Sequence, residues 1–200
     1  MIHISCTKER ILQEALSLFS VKGYDGVSMS DIAGAVGIKA ASIYKHYAGK
    51  EAIFHSIVQS FEERTEAIFH PEILTLALYQ NITPKELIVM ISQTFQQYAT
   101  DPFLSNCRRL FLISSFGRPE IGDMYTKYFL TMPIQYQSTV FSIICKTDTV
   151  KEKDYAAMAY HFYAPILILL QQYDYKNITL EEALAQIKSL VNQFAEVYGL

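Results

Sequence analysis

Residues 39–46, which read KAASIYKH, concentrate cations, hydroxyls and small side chains in one short run. Lysine, tyrosine and histidine side chains can bond phosphate oxygens or base edges, and alanine lets a backbone come close to such a surface. Lys50 stands at the start of the next predicted helix, where free backbone N–H groups attract an anion. The chemistry open to these residues is therefore recognition of a nucleic acid through contacts to phosphates and bases.

Two short helices joined by a tight turn are predicted to position this run. The segment Ser28–Asp31 resembles a capping box that begins the first helix, and Gly37 permits the sharp bend before the second. Residues that would pack these helices against each other and a preceding helix are Ile32, Ala33, Val36, Ile38, Ile43 and Tyr47. The residues left outward are Lys39, Ala40, Ala41, Ser42, Tyr44, Lys45 and His46. The same spacing also fits a three-helix corner whose outer face is merely solvated.

The charge of the chain is distributed unevenly. The formal net charge of the 200 residues is −3. Residues 1–50 contain six lysines and arginines against four acidic residues, a net charge of +2, so the remainder carries −5. Because phosphates respond to local charge, the overall negative sign does not exclude DNA.

The N-terminal quarter resembles a known family in several features that occur together and in order. The segment VSMSDIAGAVGIKAASIYKHYAGKEAIFHSIV is similar to the DNA-binding domain of TetR-family bacterial transcriptional regulators. The shared features are a first helix leading into LFSVKGYDGVSMSDIA, the turn at Gly37, the aromatic-His-aromatic run Tyr44–Tyr47, and Gly-Lys-Glu before an apolar helix. The resemblance covers about residues 7–60.

The resemblance implies a role for each outward residue. The helix from Lys39 to about His46 would be the recognition helix and would enter the major groove. Contacts to the DNA backbone would come from Ser28, Tyr44, His46 and Lys50, and base contacts from Lys39, Ala40, Ala41, Ser42 and Lys45. The two alanines offer only apolar contact to thymine methyl groups, so the operator sequence is not predicted. For His46 a structural hydrogen bond is an equal alternative.

The rest of the chain is also predicted to be helical, and no strand-like alternation of any length appears. TPKE at 83–86 and TLEE at 179–182 are typical helix starts, and Pro133 predicts a kink or break. The expected fold is all-α, with a three-helix helix-turn-helix DNA-binding domain over residues 1–49. Residues 50–200 are expected to form a larger helical domain for dimerisation and effector binding, as the resemblance implies.

The last predicted helix carries a heptad-like apolar seam from Leu180 to Tyr198. The helix before it is apolar around most of its circumference between Ala156 and Leu170, which predicts burial on more than one side. The pattern fits either an intrachain core or a four-helix bundle between two copies, and the resemblance favours a homodimer. The residues expected at that interface are Ile166, Leu170, Leu184, Ile187, Val191 and Phe194.

Aromatic residues are concentrated in the middle of the chain. Residues 95–163 hold fourteen of the 26 phenylalanines and tyrosines. The resemblance places an effector pocket here, although most of these rings are expected to be core. Candidate lining residues are Phe95, Tyr98, Phe111, Tyr125, Tyr128, Phe129 and His161. His161 also fits an ordinary core histidine, and the charge of the ligand stays open.

Other classes of protein are disfavoured by what the sequence lacks. No HExxH, GxSxG, P-loop or Rossmann motif occurs, and the five histidines form no recognised metal-ligand motif with cysteines or carboxylates, so catalytic residues, metals and cofactors are not expected. Three distant cysteines and an N-terminus unlike a signal peptide favour a reduced, cytoplasmic protein. The longest apolar stretch, residues 156–170, is shorter than the ~20 residues that span a bilayer.

The function expected from these observations is DNA-binding transcriptional regulation. The protein would bind a palindromic double-stranded operator as a dimer and repress transcription until a small, mainly apolar or aromatic effector releases it. Control by a protein partner, or activation instead of repression, fits the sequence as well.

Overall fold

The computed structural model describes residues 7–68, 83–144 and 154–199, and every regular element in those ranges is a helix. Five of these elements begin at a proline or directly after a capping hydroxyl that the sequence marks. The helices are α1 (Thr7–Lys22), α2 (Met29–Val36), α3 (Ala40–Ile43), α4 (Lys50–Ile68), α5 (Pro84–Thr100), α6 (Pro102–Ser114), α7 (Pro119–Tyr125), the π-helix π1 (Thr126–Thr131), α8 (Met132–Ile144), α9 (Tyr155–Asp174) and α10 (Leu180–Tyr198).

Three helices begin with a complete capping box. In α2, α5 and α10 the N-cap hydroxyl accepts from the backbone N–H three residues on, and the acidic side chain there accepts from the N-cap N–H. These reciprocal bonds satisfy N–H groups that a helix start leaves unpaired. The predicted starts at residues 28, 83 and 179 are confirmed.

The described chain divides into two compact units. Unit one comprises residues 1–67 and 102–125, and unit two comprises residues 68–101 and 126–200, with the undescribed residues set aside. In unit one α1 packs along α6, and the core includes Phe19, Ile32, Phe61 and Phe111, all nearly inaccessible to solvent. Phe61 and Phe111 meet edge to face, with ring centres 5.2 Å apart. The functional division at residue 49 stays a prediction.

Unit two is built from α5, π1, α8, α9 and α10. The helix α9 packs on α8, and α10 packs on α5 and α9. Phe141, Phe162 and Phe194 form one aromatic cluster with ring centres 4.9–5.3 Å apart. Apolar seams of three different helices therefore meet in one core.

The π-helix before α8 has an identifiable cause. Pro133 has no N–H to offer the carbonyl of Phe129, four residues earlier, and its ring crowds that carbonyl. The Tyr163 hydroxyl of α9 donates to the Phe129 carbonyl at 2.9 Å instead. The predicted disturbance at Pro133 thus takes the form of one widened turn, and the helical path continues directly into α8.

Candidate DNA-binding surface and internal cavity

The turn between α2 and α3 has the geometry of a helix-turn-helix motif. Gly37 has φ of +75°, a left-handed conformation that glycine adopts without the strain of a Cβ atom. The N–H of Ile38 donates to the carbonyl of Ala33 at 3.0 Å, which closes the end of α2. Arg10 of α1 donates to the carbonyl of Val36 at 2.8 Å and satisfies a further group there. The turn is thereby fixed from within and from α1.

The predicted recognition helix is shorter than the sequence indicates. Residues Ala40–Ile43 form α3, and residues 44–46 continue as turns. In this turn the N–H of His46 donates to the carbonyl of Ile43 at 2.8 Å. Ile43 is fully buried and Tyr47 is nearly so, with its hydroxyl donating to the carbonyl of Lys8 at 3.3 Å. These two anchors hold one side of the segment against α1 and α2.

The other side of this segment is open to solvent. We call residues 39–46, apart from the buried Ile43, the recognition face. Lys39, Ala41, Tyr44, Lys45 and His46 are exposed, and Ala40 and Ser42 are partly exposed. The His46 ring makes no hydrogen bond within the described part of the chain, so the structural bond considered for it is not made there. A surface of two lysines, two hydroxyls and an imidazole can bond phosphates and base edges.

Ser28 and Lys50 differ in how their polar groups are used. The hydroxyl of Ser28 belongs to the capping box with Asp31 and lies exposed at the start of α2. The Lys50 amine donates to the carbonyls of Tyr24 and Val27 at 2.9 and 2.8 Å. Partial burial lowers the pKa of Lys50. Two of the three ammonium protons therefore serve the turn between α1 and α2.

A cluster around Tyr24 was missed by the sequence reasoning. The Lys50 amine and the Arg118 guanidinium lie 4.4 and 4.6 Å from the centre of the Tyr24 ring. Arg118 also donates to both carboxylate oxygens of Asp25 at 2.7–3.0 Å, and the Tyr24 N–H donates to the Ser114 hydroxyl at 3.0 Å. These contacts join the turn after α1 to the turn between α6 and α7. A tyrosine-aspartate pair and an arginine 93 residues later carry no sequence signal that links them.

Unit two contains a cavity walled mainly by apolar side chains. Four of the predicted pocket residues line it: Phe95, Tyr98, Tyr128 and Phe129. Ile166 and Leu170, which were predicted at the dimer interface, line it as well. The other lining residues are Ile91, Thr94, Pro133, Gln137 and Tyr163.

Three predicted pocket residues lie elsewhere. Phe111 and Tyr125 belong to unit one, where Phe111 is fully buried against Phe61. His161 is exposed on α9, and its Nδ1 lies 2.5 Å from the Tyr198 hydroxyl of α10. It is therefore neither a lining residue of this cavity nor a core histidine.

The seam predicted for dimerisation lies mostly inside the chain. Ile187, Val191 and Phe194 are 0, 1 and 7% exposed, and Leu184 is partly exposed. These buried residues belong to a core within one chain, which is the alternative that the spacing also allowed, because α10 packs on α5 and α9. The outer face of α9, defined by Ala156, Tyr160, Ala164 and Ile168 at four-residue spacing, is instead exposed and apolar. Tyr160 and Ile168 are 60 and 55% exposed.

Two other kinds of site are absent from residues 7–68, 83–144 and 154–199. No three His, Cys, Asp or Glu side chains come together there as a metal site would require. None of the described helices combines the length and hydropathy of a membrane span.

Comparison with known sequences identifies the N-terminal region. Residues 11–57 match the sequence model of the family described as bacterial regulatory proteins, tetR family. Over 53 residues the chain is 47% identical to the biofilm operon icaADBC HTH-type negative transcriptional regulator IcaR of Staphylococcus epidermidis. The match covers 26% of this chain and 29% of that regulator, so it spans less than a third of that relative's length.

Comparison with solved structures extends to nearly the whole chain. A protein of Mesorhizobium loti, assigned to the TetR family of transcriptional regulators, matches with a TM-score of 0.70 at 20% identity and covers 97% of each chain. A transcriptional regulator of Saccharomonospora viridis solved with choline matches with a TM-score of 0.63 at 21% identity, over 94% of this chain and 95% of that one. These likenesses show the fold.

Proposed function

This chain belongs to the TetR family of bacterial regulatory proteins, and from that premise we propose that it is a DNA-binding transcriptional repressor controlled by a small effector. The family and the similar staphylococcal protein are regulators and not enzymes. The observation that carries the proposal is the exposed recognition face, held outward by the buried Ile43 and Tyr47 on a helix-turn-helix frame. Repression is supported by that relative, which is a negative transcriptional regulator.

The DNA-binding role has a direct test. We expect the purified protein to select a palindromic sequence from a pool of random duplexes, because dimeric helix-turn-helix proteins read two half-sites. Lys39→Ala with Lys45→Ala should weaken binding to the selected duplex strongly, since both amines lie on the recognition face. Lys188→Ala, an exposed lysine of α10, is the matched control and should bind as the wild type does. Equal binding by the double variant would remove the recognition face from the proposal.

The proposed dimer uses the outer face of α9 together with exposed parts of α10. Isolated large apolar residues on a surface are common, but a stripe repeated at four-residue spacing along one helix marks an interaction site. Val197 of α10 is also 75% exposed, and Leu190 is partly so. A closed two-fold interface would provide the second recognition face that a palindromic operator needs.

The proposed effector site is the cavity of unit two. Small-molecule sites are concave and mostly apolar with a few polar groups, and this cavity has that character. The Saccharomonospora structure contains choline, which supports a small-molecule effector within this fold without naming the one that binds here. Control by a protein partner is the alternative that the coupling measurement in the Discussion separates, and activation in place of repression is a second alternative.

A further inference from the structure

The polar groups on the cavity wall differ in whether they already have a hydrogen-bond partner within the protein. The Tyr163 hydroxyl donates to the Phe129 carbonyl at 2.9 Å, and the Tyr128 hydroxyl accepts from the Lys127 amine at 3.1 Å. Both tyrosines are therefore held by protein groups. Thr94 contributes a hydroxyl from a partly exposed position on α5.

Gln137 of α8 stands apart from the other lining residues. Its side chain lines the cavity and the residue is only 9% exposed, yet its amide makes no hydrogen bond within the described part of the chain. A primary amide offers two N–H donors and a carbonyl acceptor. Among the described residues only Arg109 Nε is sealed from solvent without a partner, so the Gln137 amide is open to the cavity, where water or a ligand pairs with it.

The remaining wall restricts what that partner is. None of the residues that line the cavity in the described chain carries a charge, so an ionic ligand would lose its hydration without gaining a counter-charge. The space open to the centres of water molecules is about 70 Å³, which holds roughly five to seven waters at ~10–15 Å³ each. This volume is about half that of an apolar cavity of ~150 Å³ that accepts benzene, so the ligand has at most one small ring.

We propose that the effector is a small neutral aromatic molecule with one hydroxyl group, and that the Gln137 amide bonds this hydroxyl. The proposal rests on the cavity's being the effector site of the proposed function. A hydroxyl both donates and accepts, so it can pair with either end of the amide. The rings of Phe95, Tyr98 and Phe129 and the side chains of Ile91 and Ile166 enclose the apolar ring.

A quaternary ammonium ion is the alternative that five lining aromatic rings also suggest. The uncharged wall disfavours it, because such a cation would lose its hydration without gaining a counter-charge. Tetramethylammonium, which has no N–H or O–H group, would also leave Gln137 without a partner, so its binding should not depend on residue 137.

The test measures binding to the protein without DNA by isothermal calorimetry. The probes are phenol, toluene and tetramethylammonium. Toluene has nearly the same shape as phenol but lacks the hydroxyl. We expect the wild type to prefer phenol to toluene by about five- to tenfold, the value of one net hydrogen bond. Gln137→Leu should remove that preference and keep toluene binding. Gln135→Leu, an exposed glutamine on the same helix, is the matched control and should keep the preference.

Three outcomes would overturn the proposal. They are a phenol preference that survives in Gln137→Leu, tetramethylammonium binding more tightly than phenol, and no binding of phenol to a wild type that still binds DNA. Failure of the wild type to bind any DNA, with phenol bound through Gln137, would reject the proposed function and leave the ligand assignment standing.

Discussion

At the residue scale, two lysines five positions apart differ in what their amines contact. The Lys45 amine lies on the exposed recognition face, whereas the Lys50 amine is bonded to the carbonyls of Tyr24 and Val27. Charge-assisted bonds of this kind hold the turn between α1 and α2 closed. The sequence places both lysines near DNA, but only the structure separates an outward amine from one that is mostly committed inward.

Lys50→Ala should therefore lower the free energy of unfolding by about 1–3 kcal/mol, because two partly buried carbonyls lose a charged donor. Lys45→Ala should change it by less than ~0.5 kcal/mol, as is usual at an exposed position. Denaturant unfolding of both variants gives the comparison.

In DNA titrations Lys45→Ala should lower the slope of log affinity against log salt by about 0.9 per subunit if its amine contacts a phosphate. A stable Lys50→Ala with that same reduced slope would return Lys50 to a phosphate role.

The unpaired amide of Gln137 makes a stability prediction independent of any ligand. Gln137→Leu should keep or slightly raise the free energy of unfolding of the unliganded protein, by at most about 1 kcal/mol, since the amide is open to water in the cavity and its replacement breaks no protein hydrogen bond. Gln135→Leu should have little effect because Gln135 is exposed. Thermal unfolding without ligand measures both. A Gln137→Leu variant less stable than the wild type would mean that the amide has a structural role.

At the element scale, the contacts of Tyr24 and Asp25 with Ser114 and Arg118 hold the turn after α1 against the turn between α6 and α7. We call this set of contacts the clasp. We expect Arg118→Ala to accelerate amide hydrogen exchange at Tyr24, because Arg118 holds Asp25 and lies over the Tyr24 ring beside the Tyr24 bond to Ser114. Lys22→Ala, an exposed change at the end of α1, is the control. Unchanged exchange at Tyr24 in Arg118→Ala would show that the Ser114 bond alone holds the turn.

The clasp should also depend on pH in a defined direction. The hydrogen bonds from Arg118 lower the pKa of Asp25 below its usual value. A carboxyl whose pKa is lower in the folded state stabilises that state above its unfolded pKa, near ~3.9, and loses this contribution as pH falls through the lower folded pKa. Slow exchange at Tyr24 should accordingly persist near neutral pH and weaken only in acid. Asp25→Asn should remove this dependence.

The extent to which elements were predictable follows from whether their causes are local. The starts of α2, α5 and α10 were predicted because a capping box involves residues three apart. The short α3 was not, because Ile43 and Tyr47 are held by partners on other helices. The π-helix was foreseen only as a disturbance at Pro133, since the Tyr163 hydroxyl that supports it comes from α9. Apolar spacing in α10 predicted a seam but could not say which helix would cover it.

At the scale of the whole molecule, dimerisation should depend on the outer face of α9. Tyr160→Glu with Ile168→Glu should yield monomers by sedimentation, because charges would be placed on an exposed apolar stripe. The variant should remain folded, since neither residue is buried. Val89→Glu, at an exposed apolar position of α5, is the control and should stay a dimer. A double variant that sediments as a dimer would exclude this face.

Ligand and operator should oppose each other through a single coupling free energy. If the effector binds the DNA-free form better, its binding weakens the operator complex, and typical couplings of ~1–3 kcal/mol correspond to 5–150-fold in affinity. Linkage then requires operator DNA to weaken effector binding by the same factor, because the two binding steps close a thermodynamic cycle. We therefore expect phenol to bind the operator complex at least fivefold more weakly than the free protein, with the dimer intact throughout. Calorimetry with and without operator duplex measures this ratio, and Gln135→Leu should reproduce it. Equal phenol affinities, with phenol bound through Gln137, would mean that occupying the cavity does not control DNA binding, and a protein partner would become the better explanation of release.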